Sequence, residues 1–335
     1  MDTYKDQENF RGCLLGGAIG DALGWPVESH SLYEMKKKFG ENGIQDFVVN
    51  QKGLAEITDD TQLTLFTAEG LLSDEPTGVY CSYLHWLKTQ GCKVPAPIKM
   101  ESWLANVPEM HARRSPGITC LKALQSGQCG SVDSPINDSK GCGGVMRVAP
   151  VGLYYPPEEA FKKGIEFAAI THGHPLGYLT AGAFSYLIAS IMKGNSLQLA
   201  ADNMLQKLSR YPEAREGVQV IERAINLSKT ETDPEEAVRR IGLGWVGEEA
   251  LAIALYCSLK FQHHFSSAVL HAVNHDGDSD STGSITGNIV GLLHGYRQIP
   301  ANWIERLELK DIILQIADEL WMKYKEQAGN TQRYF

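Results

Sequence analysis

Residues 11–24 read RGCLLGGAIGDALG and residues 282–295 read TGSITGNIVGLLHG. In the first, Gly12, Gly16, Gly20 and Gly24 recur every four residues; in the second, Gly283, Gly287, Gly291 and Gly295 do the same. Four-residue spacing lines up side chains on one narrow stripe of an α-helix. A glycine inside a helix costs about 1 kcal/mol relative to alanine, so such a stripe needs a compensating return. Close approach of a neighbouring helix backbone is the return expected for both segments. For Gly24, which precedes Trp25-Pro26, a cap or loop role is equally open.

Outside these segments the signals are again helical. Val218, Ile221, Ala224 and Ile225 follow the i, i+3, i+4 pattern, as do Ile312, Ile316 and Leu320. Asp233-Pro234-Glu235-Glu236 reads as a helix start with an Asp cap and Pro in the first position, and Pro156-Pro157-Glu158-Glu159 reads similarly. Only Gln45–Val49 has an extended character. Between Gln90 and Gly144, repeated Pro, Gly and Ser predict long loops between short helices. No polar linker divides the chain, so one mostly helical domain is expected.

Composition narrows the function classes. Of 335 residues 33 are glycine, against a typical share of about 7%. Hydrophobic residues at 43% and charged residues at 21% provide for a sizeable core and exclude disorder. Lys and Arg number 31 against 40 Asp and Glu, a net charge of −9, which argues against general nucleic-acid binding. The basic run Lys36-Lys37-Lys38 reads as a solvated helix face. Seven cysteines, none in C-x-x-C spacing, follow a polar N-terminus, so reduced thiols in a cytoplasmic protein are expected. The longest uncharged stretch, Leu176–Met192, is short for a membrane span and reads as a buried core helix; no membrane is expected.

Both glycine stripes adjoin chemistry. Thr58-Asp59-Asp60-Thr61 precedes Gln62–Leu72, which reads as an amphipathic helix. Capping explains one Asp at a helix start; two adjacent carboxylates repel unless a cation or solvent separates them. Asp276-Gly277-Asp278-Ser279-Asp280-Ser281-Thr282 alternates carboxylates with small residues, which suits Mg²⁺, Mn²⁺ or Ca²⁺. It is not an EF-hand, since Ser281 and Gly287 stand where Gly and Glu are required. A D-x-D-x-T phosphotransferase reading fits Asp278, Asp280 and Thr282 but lacks a strong preceding strand. His172 and His174 are candidates for zinc or a general base, though a cap or a single ligand hydrogen bond is the simpler role. His263-His264 reads as surface. The loop Gly141-Cys142-Gly143-Gly144-Val145-Met146-Arg147 has the backbone freedom to cradle an anion. Arg113-Arg114 fits either a phosphate or nearby acids.

Together the stretches 12–28, 58–72, 139–153, 171–175, 244–256 and 277–287 resemble the ADP-ribosylglycohydrolase family, across nearly the whole chain. The resemblance implies an all-α, single-domain orthogonal helical bundle with a dinuclear metal cleft, over residues 1–335. Its motif-bearing core would span about 10–295, with 296–335 as a C-terminal helix packed on it. It implies two Mg²⁺ ions, or Mn²⁺, held by Thr58, Asp59, Asp60, Asp278, Asp280 and Ser281. Substrate contacts would come from Cys142, Gly143, Gly144, Val145, Met146 and His172, and proton transfer from Glu28 and Asp60. Some members carry a further Asp as base after the TDDT element; none lies between Tyr80 and Gln90, which leaves the base open. The implied activity is hydrolysis of the bond between ADP-ribose and an acceptor side chain, foremost arginine, on an ADP-ribosylated protein. A non-hydrolytic ADP-ribose binder and a two-metal phosphoesterase are the rival readings.

Overall fold

The computed structural model describes residues 7–73 and 75–332. Its organising element is a pair of antiparallel helices, α1 (Gln7–Gly24) and α5 (Ser279–His294), whose glycine stripes face each other. Gly12 lies against Gly291 and Gly295, Gly16 against Gly287, Gly20 against Gly283, and Gly24 against Ser279. A Cβ added at Gly12, Gly16, Gly20 or Gly24 would fall on a backbone atom of α5 or of Gly295 just beyond it. Gly24 is helical and part of the stripe, which decides the point left open above. Two amide side chains stitch the seam, Asn9 donating to the Leu292 carbonyl and Asn288 to the Cys13 carbonyl, both at 2.8 Å.

Between the helices of this pair in chain order come α2 (Asp59–Leu72), α3 (Pro175–Met192) and α4 (Gly247–Lys260); α6 (Lys310–Gln332) follows. The described residues form sixteen α-helices in all, with short 3₁₀ turns, isolated β-bridges and no strand. The extended segment 45–49 contributes only a bridge from Val49 to Ala55. Helix α2 departs from expectation: it is apolar-packed all round, with every residue but Leu72 buried, so it is a core helix and not an amphipathic one. The polar residues that suggested a solvent face have internal partners. Gln62 donates to the Ala112 carbonyl and accepts from the Trp86 indole, and the Thr67 hydroxyl donates to the Leu63 carbonyl.

Helix α3 is long and apolar enough to cross a membrane, but 83% of it is buried inside the protein. His174 caps it, its Nδ1 accepting from the Leu176 N–H. Asp233 caps Pro234–Ile241 through two N–H groups, as its sequence predicts. Helix α6 is fixed to α1 by a two-pronged Arg11–Asp318 pair at 2.7 Å. Arg114 takes the acid-pairing role: it donates to Glu308, Glu56 and the Ile57 carbonyl, clamping the chain just before Thr58. His263 and His264 are exposed.

Gly16→Ala and Gly287→Ala are each expected to destabilise the fold by roughly 2–4 kcal/mol, because the added methyl must displace backbone. Gly194→Ala, at φ +91° with open space around it, should cost only about 1 kcal/mol. Chemical denaturation of the three variants checks the ranking.

Candidate active site

The α1–α5 contact brings the start of α5 alongside the end of α1, and there the acidic residues meet. Asp278 caps α5, with Asp280 and Ser281 in its first turn. Asp59 and Asp60 open α2, capped by Thr58. Glu28 follows the 3₁₀ turn after α1, and the next residue, Ser29, donates its N–H to the Gly277 carbonyl at 3.0 Å. Gly277 is at φ +127°, and a Cβ there would strike the Leu243 carbonyl, so only glycine lets the chain turn into Asp278 at this point. Asp276 leaves the group: it accepts from the Leu32 N–H and faces outward.

These carboxylates line a cleft of about 380 Å³. Glu28, Asp59, Asp60, Asp278, Asp280 and Ser281 form one wall, and Cys142, Gly143, Met146 and His172 face them. Of the residues proposed from sequence, Thr58, Gly144 and Val145 are outside this lining. Thr58 is buried beneath it, its hydroxyl held by Asp21 and by the Asp60 N–H. Val145 puts its side chain into the core, so the substrate contact expected of it would have to come from its backbone. Gly144 packs against the Gly177 carbonyl and His172. Gly143 keeps the cleft open: a Cβ there would come within 3.1 Å of both Cys120 Sγ and His172.

Electrostatically the cleft is one-sided. No Lys or Arg is among the described residues that line it. Burial first, and then repulsion from neighbouring carboxylates, pushes the Asp59, Asp60 and Asp280 carboxyls well above the usual range. Glu28 is raised too, mainly by burial, with the Ser115 hydroxyl opposing the shift through a 2.6 Å bond. Asp59 accepts from the Gly117 N–H at 3.0 Å, whereas Asp60 Oδ1 is buried with no hydrogen-bond partner. An orphaned carboxylate oxygen among crowded carboxylates and hydroxyls is the donor set of a hard divalent cation. Among the described residues no three Asp, Glu, His or Cys side chains close on a single point. Asp59, Asp278 and Glu28 are turned instead toward Gly117, Cys142 and Ser115.

His172 is buried and pushed down to about 3 by burial and by Arg147, so it is neutral. Arg147 is fully buried over the Tyr83 ring and donates to the Thr171 hydroxyl, which pairs with His172 Nδ1 at 2.9 Å. That leaves Nε2 for the cleft.

A family model for ADP-ribosylglycohydrolase matches residues 2–330. The chain belongs to the ADP-ribosylglycohydrolase family. Similar proteins include an uncharacterized protein of Archaeoglobus fulgidus, 29% identical over 94% of this chain and 96% of that one. ADP-ribosylhydrolase ARH3 of Mus musculus is 25% identical, covering 91% of this chain and 90% of its own. ADP-ribosylhydrolase ARH1 of Dictyostelium discoideum is 25% identical over 94% of both. A solved chain of an ADP-ribosylglycohydrolase-related protein complex, 22% identical, matches with a TM-score of 0.64 over 96% of this chain and 99% of its own. The all-α ADP-ribosylglycohydrolase fold expected from the sequence is thus the fold observed.

Within this glycohydrolase fold the sequence reading overlooked Asp21. It is fully buried, and it accepts the N–H and hydroxyl of both Thr58 and Thr61, so it sets the orientation of the Asp59-Asp60 pair. A lone carboxylate inside an apolar, glycine-striped helix was the available signal. Ser115, at φ +44°, and Trp245 at the rim were also missed. Both lie on loops whose folding has no local periodicity to read.

A pH effect follows. Burial raises Asp21 to about 6, against the repulsion-free hydrogen bonds of Thr58 and Thr61 that lower it. In EDTA the folded state therefore holds protons at pH 5.5 that the unfolded chain, with ordinary carboxylates near 4, has released. Stability should therefore fall as pH rises from 5.5 to 8, by about 1–3 °C in Tm from Asp21 alone. Thermal melts in EDTA at both pH values check it.

Proposed function

We propose that this family member hydrolyses the glycosidic bond between ADP-ribose and an acceptor side chain, with two Mg²⁺ ions, or Mn²⁺, as cofactors. The observation that carries the reading is the buried carboxylate cluster, which has no Lys or Arg among the described residues lining its cleft and an orphaned oxygen on Asp60. Asp59, Asp60, Asp278, Asp280 and Ser281 would hold the cations, with Thr58 supporting from below. When bound, the ions would supply charge neutralisation and Lewis acidity toward the ribose hydroxyls and water.

The chain's own groups account for the rest of the chemistry. Gly143 leaves room for the diphosphate beside His172, whose Nε2 faces the cleft to meet a phosphate oxygen. Glu28 is the least buried of the carboxylates, and Ser115 holds only its Oε2. It is placed to exchange a proton with water or with the leaving group, Asp60 being the other candidate. Glu28, which lies outside the proposed ligand set, is the carboxylate left to stabilise an oxocarbenium-like transition state. Arginine is the proposed acceptor, because a guanidinium suits a cleft that offers carboxylates and no competing Lys or Arg. The partner would then be an arginine-ADP-ribosylated protein.

Intact ADP-ribose should be released from such a protein in Mg²⁺ and not in EDTA. Release of AMP would instead mark a phosphoesterase, and retained label a binder. Asp60→Ala and Asp280→Ala should abolish turnover. Glu28→Gln should lower kcat by about 10²–10⁴ while leaving ADP-ribose affinity largely intact. Parallel assays on arginine-, serine- and nucleotide-linked ADP-ribose test the acceptor.

A further inference from the structure

The sulfur of Cys142 has no part in the chemistry above, yet it lies directly against a proposed cation ligand. Cys142 Sγ lies 2.7 Å from Asp278 Oδ2, inside the van der Waals separation of sulfur and oxygen. The Ser281 hydroxyl is 3.6 Å from the same sulfur. The backbone gives Cys142 little freedom to move away. Its N–H donates to the Trp245 carbonyl at 3.2 Å, and its carbonyl accepts from Val145 and Met146. Asp60, with its buried and unpartnered Oδ1, faces the same Ser281 side chain. The Cys142 thiol and the Asp60 carboxylate therefore border the Ser281 hydroxyl, Asp278 accepts from the Ser281 N–H, and one oxygen of the set has no partner among the described residues.

Hard ions such as Mg²⁺ gain little from sulfur, whereas Zn²⁺, Co²⁺ and Cd²⁺ bind thiolate strongly. We propose that Cys142 is a sulfur ligand on the Asp278 side of the cluster, giving this cleft a site for a thiophilic divalent cation that competes with Mg²⁺. This rests on the reading of the acidic cluster as a cation site and adds a selectivity that oxygen ligands alone do not confer. It makes the protein's response to metals depend on one side chain: Zn²⁺ would displace Mg²⁺ from one position and be held through the Cys142 thiolate, the thiol proton now directed at Asp278 being released to solvent.

The test uses the full-length, metal-free protein titrated with Co²⁺ and followed by absorption. A thiolate-to-cobalt charge-transfer band in the near ultraviolet is expected, saturating at one ion per chain. It should vanish in Cys142→Ser and persist in Cys129→Ala and Cys92→Ala. Calorimetry should show Zn²⁺ affinity falling by about tenfold or more in Cys142→Ser, with Mg²⁺ affinity changed less than about threefold. Circular dichroism of Cys142→Ser establishes that the variant is folded. If Co²⁺ binds, and binding is lost in Asp278→Ala, but no thiolate band forms, the sulfur proposal is overturned and the cation site stands. A band that survives in Cys142→Ser overturns it equally. If neither Co²⁺ nor Mg²⁺ binds at all, the reading of the cluster as a cation site fails as well.

Discussion

The contact on which the structure depends is backbone against backbone, between Gly12–Gly24 of α1 and Ser279–Gly295 along α5. Helices normally stand 8–10 Å apart because side chains fill the space between them. Here the facing positions carry no side chain, so carbonyl and Cα atoms meet directly. Close approach along the whole seam fixes both the distance and the register, since a shift by one residue would drive a leucine or isoleucine into the opposing backbone. The ends of that seam carry Asp278, Asp280 and Glu28. Site geometry is thus a by-product of helix packing.

Burying this many acids is costly, and the structure limits the cost in two ways. Some carboxylates are given donors: Asp21 has four, Asp59 has Gly117, and Glu28 has Ser115. The others are left short, Asp60 most of all. Unlike the Arg114–Glu308 clamp, where opposite charges are paired at 2.7 Å, the cleft receives no counter-charge from its own walls. The one buried cation nearby, Arg147, is spent on Thr171, Cys120 and the Phe167 carbonyl behind His172. An arrangement that pairs charge where stability requires it and leaves charge unpaired in a cleft is characteristic of a ligand site.

Much of this was legible in the sequence, for a physical reason. Glycine at four-residue spacing has few explanations inside a helix, and paired aspartates flanked by hydroxyls have few outside a cation site. Cys142, Gly143, Met146 and His172 could be placed beside the carboxylates only through the family resemblance of their motifs, which contain no acid themselves. What could not be read was the partner of each element. Nothing local tells that Gly16 meets Gly287, that Arg114 reaches Glu308, or that Asp21 reaches Thr58 and Thr61. The burial of α2 was misjudged for the same cause, since Gln62 and Thr67 look solvent-facing until Trp86, Ala112 and Leu63 supply partners. Val145 belongs to the same motif, and its side chain serves the core.

The seam between α1 and α5 also orders events in time. Its two halves are separated by about 250 residues of chain, so closing it is among the longest-range contacts the fold has to make, exceeded by the α1–α6 contact of Arg11 with Asp318. A nascent chain that has emerged only through α4 already carries Asp59, Asp60 and His172, but the glycine face of α1 has nothing to meet. Until α5 arrives, that face stays open and the carboxylates of α2 remain far from those of Asp278 and Asp280. The cleft is therefore completed late in synthesis, and a chain cut short before residue 278 lacks Asp278 and Asp280 and holds Asp59 and Asp60 on a helix without its mate.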